Sequence, residues 1–427
     1  MPADIAATPS GQRLAFMLHH LRTACAELTD EAIQANMTTG IVSVEMQRDQ
    51  MKESAEQLEG FEVKAFRMQA SQLPVALVGR DERTWQVGIR VEDQPPHTTR
   101  GALGAEVVPG VTIRRAAETD AAALRDIELA VPIVLGDTRV TYDRGEDYFA
   151  AERLMGDVVT LVIERDGIPA GLTSTVVKNI RADGQDIRGA YRHRLRLLPE
   201  ARGQGIGQML GFADFENNAW RVDFPYAFVA AENETMLRNQ RTTGWSVRPE
   251  RVVIDTTQHD GPTIGRPATP ADSTRIVSLL NTAHEREALF VPYTERSLAV
   301  RLEREPELYS WRNFRLSDHA VAGVWPASLR VIRETTDGRS EDVRALVLDY
   351  GYEPRAEDEL VALLRAECAA LSNIAMTELA IFTSAPSGAY AQLTGLAKRT
   401  EPYLLFFAVP EPSDLARRGV YVDQLYF

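Results

Sequence analysis

Leu197-Leu198-Pro199-Glu200-Ala201-Arg202-Gly203-Gln204-Gly205-Ile206-Gly207 separates an alternating stretch, Arg188 to Leu198, from an apolar helical stretch, Gly207 to Trp220. Gly203, Gly205 and Gly207 remove side chains where main chain can approach an anion, and the first amides of the following helix have no acceptor within it. Oriented N–H groups after a strand and before a helix suit a phosphate, and Arg202 adds charge beside it. Ile206 and Leu210 root the helix in a core. The last glycine comes too early for the G-x-G-x-x-G of a dinucleotide fold, the preceding strand is the fourth of its domain, and no Lys-Ser/Thr follows as a P-loop requires. A glycine-rich turn with no ligand is the bland alternative.

Upstream, Val111 to Arg114 reads as a strand, followed by a helix opened by Thr119-Asp120. Val158 to Glu164 and Gly171 to Val177 read as strands joined by Arg165-Asp166-Gly167, a hairpin turn. Downstream, Tyr226 to Ala230 reads as a strand and Glu232 to Arg241 as a helix that ends at Gly244-Trp245.

The quoted string resembles the acetyl-CoA motif of the GNAT family of N-acetyltransferases, whose pattern is Arg/Gln-x-x-Gly-x-Gly/Ala. Asn233 to Trp245 resembles that family's second conserved block, and the likeness runs from about Val111 to Thr257. It implies acyl transfer from acetyl-CoA, or another acyl-CoA, as co-substrate and without a metal. The diphosphate would sit on Arg202, Gly203, Gln204, Gly205, Ile206, Gly207 and Gln208. The pantetheine would lie along main chain around Leu195, Leu197 and Leu198, where the strand splays from its neighbour. A bulge there would free a backbone N–H to polarise the thioester carbonyl.

Direct attack by an amine needs a base. Tyr191 and His193 share a face of the strand entering the motif, where family members keep one. An unperturbed histidine titrates near neutrality, which makes His193 the expected base, while a hydrogen-bonded histidine on a strand rich in Arg192, Arg194 and Arg196 is the alternative. Gln240 stands where many members have a thiolate-protonating Tyr. Asn233 matches the family's Asn, to hold pantetheine or to cap a helix. Asp143, Glu146 and Asp147, beside Tyr142, Tyr148 and Phe149, would attract a cationic small-molecule acceptor, or form a solvated charged face.

Arg114-Arg115-Ala116 with Asp120 matches Arg266-Pro267-Ala268 with Asp272, an offset of 152 residues that suggests a duplication. The doubled arrangement resembles in architecture the tandem-GNAT proteins, a group that includes mycothiol synthase and an acetyltransferase of the clavulanic acid pathway. At that offset Gly203, Gly205 and Gly207 become Arg355, Glu357 and Glu359, and no Gly-x-Gly occurs from Val343 to Phe427. The second copy therefore reads as degenerate. Its expected elements are a helix at Ser273–Leu280, strands at Ala320–Trp325 and Val343–Asp349, and a helix at Glu357–Leu371.

The expected fold is α/β (α+β): two GNAT folds in tandem over 111–257 and 258–427, each a mixed central sheet flanked by helices. A small α+β domain, faintly similar to cystatin-like or NTF2-like folds, occupies 1–95, with a linker at 96–110 marked by Pro95-Pro96, Gly101, Gly104 and Pro109-Gly110. A chain of 427 residues fits several such domains.

A net charge of -14 disfavours nucleic acid. Cys25 and Cys368 are too far apart in sequence to build a disulfide framework or thiolate cage, and the neighbouring His19 and His20 do not share a helix face. No stretch has the length and apolarity of a membrane span. A cytoplasmic monomer or homodimer is expected. A non-catalytic acyl-CoA sensor and an interaction scaffold are the competing readings.

Overall fold

The structure is a computed structural model that describes residues 1–37, 43–69, 73–182, 184–203, 205–218, 222–239, 249–259, 264–385, 387–407, 419–423 and 425. In chain order, helices α1 (Ala3–Ala6), α2 (Pro9–Arg22), α3 (Asp30–Asn36) and α4 (Val44–Leu58) precede strands β1 (Glu62–Gln69), β2 (Leu73–Arg80), β3 (Arg83–Val91) and β4 (Thr99–Glu106). There follow β5 (Val111–Arg115), α5 (Ala121–Ala130), β6 (Ile133–Leu135), β7 (Thr138–Asp143), α6 (Ala150–Met155), β8 (Val158–Arg165), β9 (Ile168–Ala182) and β10 (Gln185–Leu197). Next come α7 (Ile206–Asn218), β11 (Phe224–Ala230), α8 (Glu234–Asn239) and β12 (Pro249–Asp255). The remainder holds β13 (Arg266–Pro267), α9 (Ser273–His284), α10 (Glu295–Arg304), β14 (Phe314–Leu316), β15 (Ala320–Thr335), β16 (Gly338–Tyr352), α11 (Glu357–Ser372), β17 (Glu378–Ser384), α12 (Tyr390–Gly395) and β18 (Arg399–Phe407). The chain divides into two compact units: Met1–Arg115, Leu161–Thr173 and Leu197–Phe224 in the first, and Ala116–Thr160, Ser174–Arg196 and Pro225–Phe427 in the second.

In the first unit, the Thr8 side chain accepts the Gly11 N–H and starts α2, which turns Leu14, Met17, Leu18 and Leu21 inward. These meet Met51, Ala55 and Leu58 of α4 and one face of the antiparallel sheet β1-β2-β3-β4, where alternation presents Ala76, Val78, Trp85, Val87 and Ile89. The opposite face presents Leu73, Val75 and Ala105, and Phe212 of α7 packs there. Gly88 leaves room for that ring, since a Cβ on it would lie 3.2 Å from Phe212.

The stretch expected to be a linker is corrected in part. Residues 99–106 are β4, paired along β3 from Trp85↔Glu106 to Val91↔Thr99. Gly101 and Gly104 hid the strand, whose identity comes from its partner and from the Arg83–Glu106 ion pair.

The strands that fall wholly or mostly in the second unit run in the order β13-β14-β15-β16-β17-β12-β18-β11-β10-β9, a large mixed sheet flanked by helices. The duplicated openings are built alike. Asp120 accepts the Ala117 N–H at 2.7 Å as Asp272 accepts the Thr269 N–H at 2.8 Å, each side chain closing the turn that precedes α5 or α9. The two copies interleave: β18 pairs with β11 on one side and β12 on the other, and β12 pairs in turn with β17. Buried charge spans these strands. Arg251 donates to Glu401 at 2.9 Å, and Arg344 donates to Glu378 at 2.9 Å and Glu401 at 3.3 Å. β7, which the sequence does not reveal, pairs with β15 from Arg139↔Glu334 to Asp143↔Arg330.

Candidate functional site

Around Arg192 β10 alternates: Tyr191 and His193 are buried and Arg192 between them is exposed. There the step breaks, because Arg194 is buried as well and Leu195 is exposed. The cause is backbone. Arg194 has φ +59°, a left-handed residue inside a strand, which re-aims its side chain. It stands immediately before Leu195–Leu198, the stretch along which the family resemblance lays the pantetheine.

The re-aimed guanidinium enters a buried ionic cluster that sequence reasoning missed. Arg194 pairs with Glu128 at 3.5 Å and with Glu152, and its guanidinium lies 4.8 Å from the centre of the Tyr148 ring. Arg144 holds Glu128 at 3.0 Å. Burial opposes ionisation of Glu128, but Arg144, Arg194 and Arg196 outweigh it and keep the carboxyl below its usual range. The signal available in sequence was Arg192, Arg194 and Arg196 on one strand, too many cations for a solvated edge alone.

Beside this cluster, burial and then the Arg144 charge push the His193 imidazole down to about 3. It is neutral at physiological pH. The Tyr191 phenol is pushed far the other way by burial and by Tyr226 and Tyr403, so it stays protonated. The two rings stack with centroids 5.1 Å apart and 23° between planes. A neutral acceptor nitrogen and a protonated phenol thus share one face of β10.

The turn lies in the first unit. Leu198 donates its N–H to Ala170 at 2.9 Å, which commits that amide to β9, and Arg202 Nε donates to the Leu197 carbonyl at 3.0 Å. Gly203 and Gly205 have φ +75° and +77°, where any other residue would be strained. Ile206 is buried, whereas Gly207 and Gln208 are exposed, and a Cβ on Gly203 or Gly207 would meet nothing within 4 Å. The Gly205 carbonyl accepts from Gln208 at 3.0 Å and Met209 at 3.2 Å, so intrahelical bonding begins there and the amides of Ile206 and Gly207 precede it. Val108 donates to the Met209 sulfur at 3.1 Å, and Arg67 pairs with Glu216, so the N-terminal segment braces α7. Gln204, Gln240 and Gly244-Trp245 lie outside the described residues.

Asn233 accepts the Met236 N–H at 3.2 Å, the capping half of the two roles open to it. The carboxylates expected to attract a cationic acceptor are otherwise occupied, which corrects that expectation for two of the three. Asp143 is buried under a bidentate Arg125 at 2.7 and 2.9 Å, with Arg330 at 3.3 Å, and Asp147 is paired with Arg153 at 2.6 and 2.8 Å. Tyr142, Tyr148 and Phe149 are buried, and Glu146 is exposed. In the second copy, β16 ends at Tyr352 and α11 begins at Glu357, against Leu197 and Ile206 in the first, so its turn is four residues shorter. There the Glu357 carboxylate faces the Arg355 amide at 3.4 Å. The start of α11 is thus met by the protein's own anion.

No protein-family model matches the chain, and no curated protein matches it in sequence. Solved structures do. N-myristoyltransferase of Saccharomyces cerevisiae with bound myristoyl-CoA superposes with a TM-score of 0.52 at 10% identity, over 78% of this chain and 92% of that one. A second structure of that enzyme with myristoyl-CoA gives 0.53 at 9% identity, over 78% and 87%. The fold is GNAT-like. At such identities the likeness concerns the fold alone. A GCN5-related N-acetyltransferase from Sphaerobacter thermophilus matches at a TM-score of 0.47 and 16% identity, over 72% of this chain and 98% of that one.

Proposed function

We propose that the chain is an acyltransferase that moves an acetyl or longer acyl group from CoA to an amine or hydroxyl of a small molecule, by direct attack in a ternary complex. The observation that carries this reading is the turn before α7, with left-handed Gly203 and Gly205, exposed Gly207 and the first amides of the helix. Arg202, Gly203, Gln204, Gly205, Ile206, Gly207 and Gln208 would hold the diphosphate, and main chain at Leu195 and Leu197 the pantetheine. Residues 111–257 would act, and 258–427 would complete the sheet without a cofactor of their own.

Two groups of β10 then have limited roles. His193, held neutral, accepts a hydrogen bond from the attacking group, but burial and Arg144 resist the imidazolium that full proton transfer would create. Tyr191 donates a hydrogen bond, yet a phenol so hard to ionise does not give its proton to a thiolate whose own pKa is about 8.5. The acceptor amine must therefore arrive deprotonated. The expected kcat/KM rises with pH to the amine's own pKa, with no inflection near 6.5.

The test is thiol release from acetyl-, octanoyl- and myristoyl-CoA across a panel of small amines and alcohols, followed from pH 6 to 9. An inflection near 6.5 that disappears in His193→Gln would overturn the assigned roles, and failure of every thioester to bind would overturn the function. Non-catalytic acyl-CoA binding is the second reading, favoured by the depressed His193. Sustained turnover on any acceptor excludes it.

A further inference from the structure

A cavity of about 490 Å³ opens in the second unit between β9 and α10. Lys178 comes from β9, Arg301 and Arg304 from α10, and Asp423 from the C-terminal segment. Among the described residues that line it, the positive groups outnumber the negative ones. One oxygen of Asp423 serves two cations, Lys178 at 3.3 Å and Arg301 at 3.4 Å, while the other accepts the Leu425 N–H at 3.2 Å. The Nε of Arg301 reaches Asp349 at 3.2 Å, a buried carboxylate that already accepts the hydroxyls of Tyr293 and Tyr309 at 2.9 Å each. Its Nη2 is buried and finds no hydrogen-bond acceptor among the described residues. Arg304 donates to a neutral group, the Leu154 carbonyl, at 2.9 Å. With Arg296 at the rim, four cations among the described residues face Asp423, with Asp349 behind, inside a chain whose net charge is -14.

Such an excess is costly in a partly desolvated site unless an anion completes it. Burial, with Arg301 nearby, holds Lys178 and Arg304 below their ordinary ranges against the pull of Asp423, while against burial Asp349 and Asp423 hold Arg301 above its own. Met155, Val176 and Val300 add an apolar side to the same cavity, which suits a small body attached to the anionic group. β9 is the sheet neighbour of β10, the strand that carries Tyr191 and His193. Resting on the acyl-transfer reading above, we propose that this cavity receives the acyl acceptor and grips it by an oxyanion, a carboxylate or a phosphate, through Lys178, Arg301 and Arg304. The acceptor class is then an anionic amine or alcohol with a small apolar body, in place of the cationic amine expected from sequence.

The test uses the full chain and three probes that share one amine: 4-aminobenzoate, 4-aminophenyl phosphate and neutral aniline. Binding is measured by calorimetry at fixed ionic strength in chloride. At least one anion should bind about tenfold more tightly than aniline, and the comparison of the two anions identifies the oxyanion. Lys178→Gln should weaken the anions about tenfold, and Asp423→Asn should tighten them, because it removes the carboxylate that competes for the same cations. Opposite signs from two neighbouring substitutions separate charge from misfolding. Equal affinity for aniline, or weaker anion binding in Asp423→Asn, overturns the proposal. Anion selectivity in a chain that binds no acyl-CoA refutes the acyl-transfer reading and leaves the oxyanion site. Thiol release confined to neutral amines refutes the oxyanion site and leaves acyl transfer.

Discussion

Gly207→Ala isolates what the turn does from what the turn needs in order to fold. Gly207 is in the first turn of α7, is exposed, has no left-handed backbone, and would place a Cβ in open space. The substitution should therefore stabilise the unliganded protein by about 0.4–1 kcal/mol through the unfolded chain's lost freedom, raising the melting temperature by up to about 1 °C. A ligand diphosphate would occupy that same open space. A methyl group there pushes it off the first amides, and loss of one charge-assisted hydrogen bond at about 1.5–3 kcal/mol raises the Kd for CoA about 10- to 150-fold. Gly211→Ala is the matched control, since its Cβ would also meet nothing within 4 Å one helical turn further on. Calorimetric titration with CoA and thermal unfolding of the three proteins decide the matter. Unchanged CoA affinity in Gly207→Ala, or an equal loss in Gly211→Ala, refutes the assignment of the turn.

His193 ionises near 6.5 in the unfolded chain and at about 3 when folded, so the unfolded state binds the extra proton between those values and stability falls as pH drops through that window. Urea unfolding should show a loss of about 2 kcal/mol between pH 7 and 5 that is absent in His193→Asn. Arg194→Met strands Glu152 in the interior, with Glu128 still held by Arg144, and should cost about 3–5 kcal/mol, with part recovered in the double variant that adds Glu152→Gln. Additive losses in urea unfolding would argue against the ion cluster. Burial pushes the Cys368 thiol up to about 12 and raises that of Cys25, so neither should react with a disulfide reagent in the folded protein, and both should react in urea.

The strand, turn and helix around Gly203 were legible because each signal is local: alternation up to Pro199, glycines at close spacing, and apolar residues at helical spacing afterwards. The duplication was legible through Asp120 and Asp272, whose side chains close turns within three residues of themselves. What escaped depends on distant partners. β4 looks like a linker until β3 lies beside it, and β7 looks like a loop until β15 does. The left-handed backbone at Arg194 cannot be read from an alternating string, because it carries no mark in composition. Glu128, Glu152 and Arg144 meet it from elements tens of residues away, and the cationic cavity gathers residues from 155 to 423. The acidic group at 143–147 misled because sequence displays carboxylates without the arginines that neutralise them.

The placing of β18 between β11 and β12 bears on how such a protein can shrink. A gene cut after the first copy would encode a half whose last two strands frame an empty slot, both edges offering unsatisfied amides and carbonyls to any passing chain. Arg251 would remain there without Glu401, its counter-ion from the missing half. The second copy, which carries no Gly-x-Gly from Val343 onward, is therefore not dispensable cargo: it closes edges that would otherwise invite aggregation.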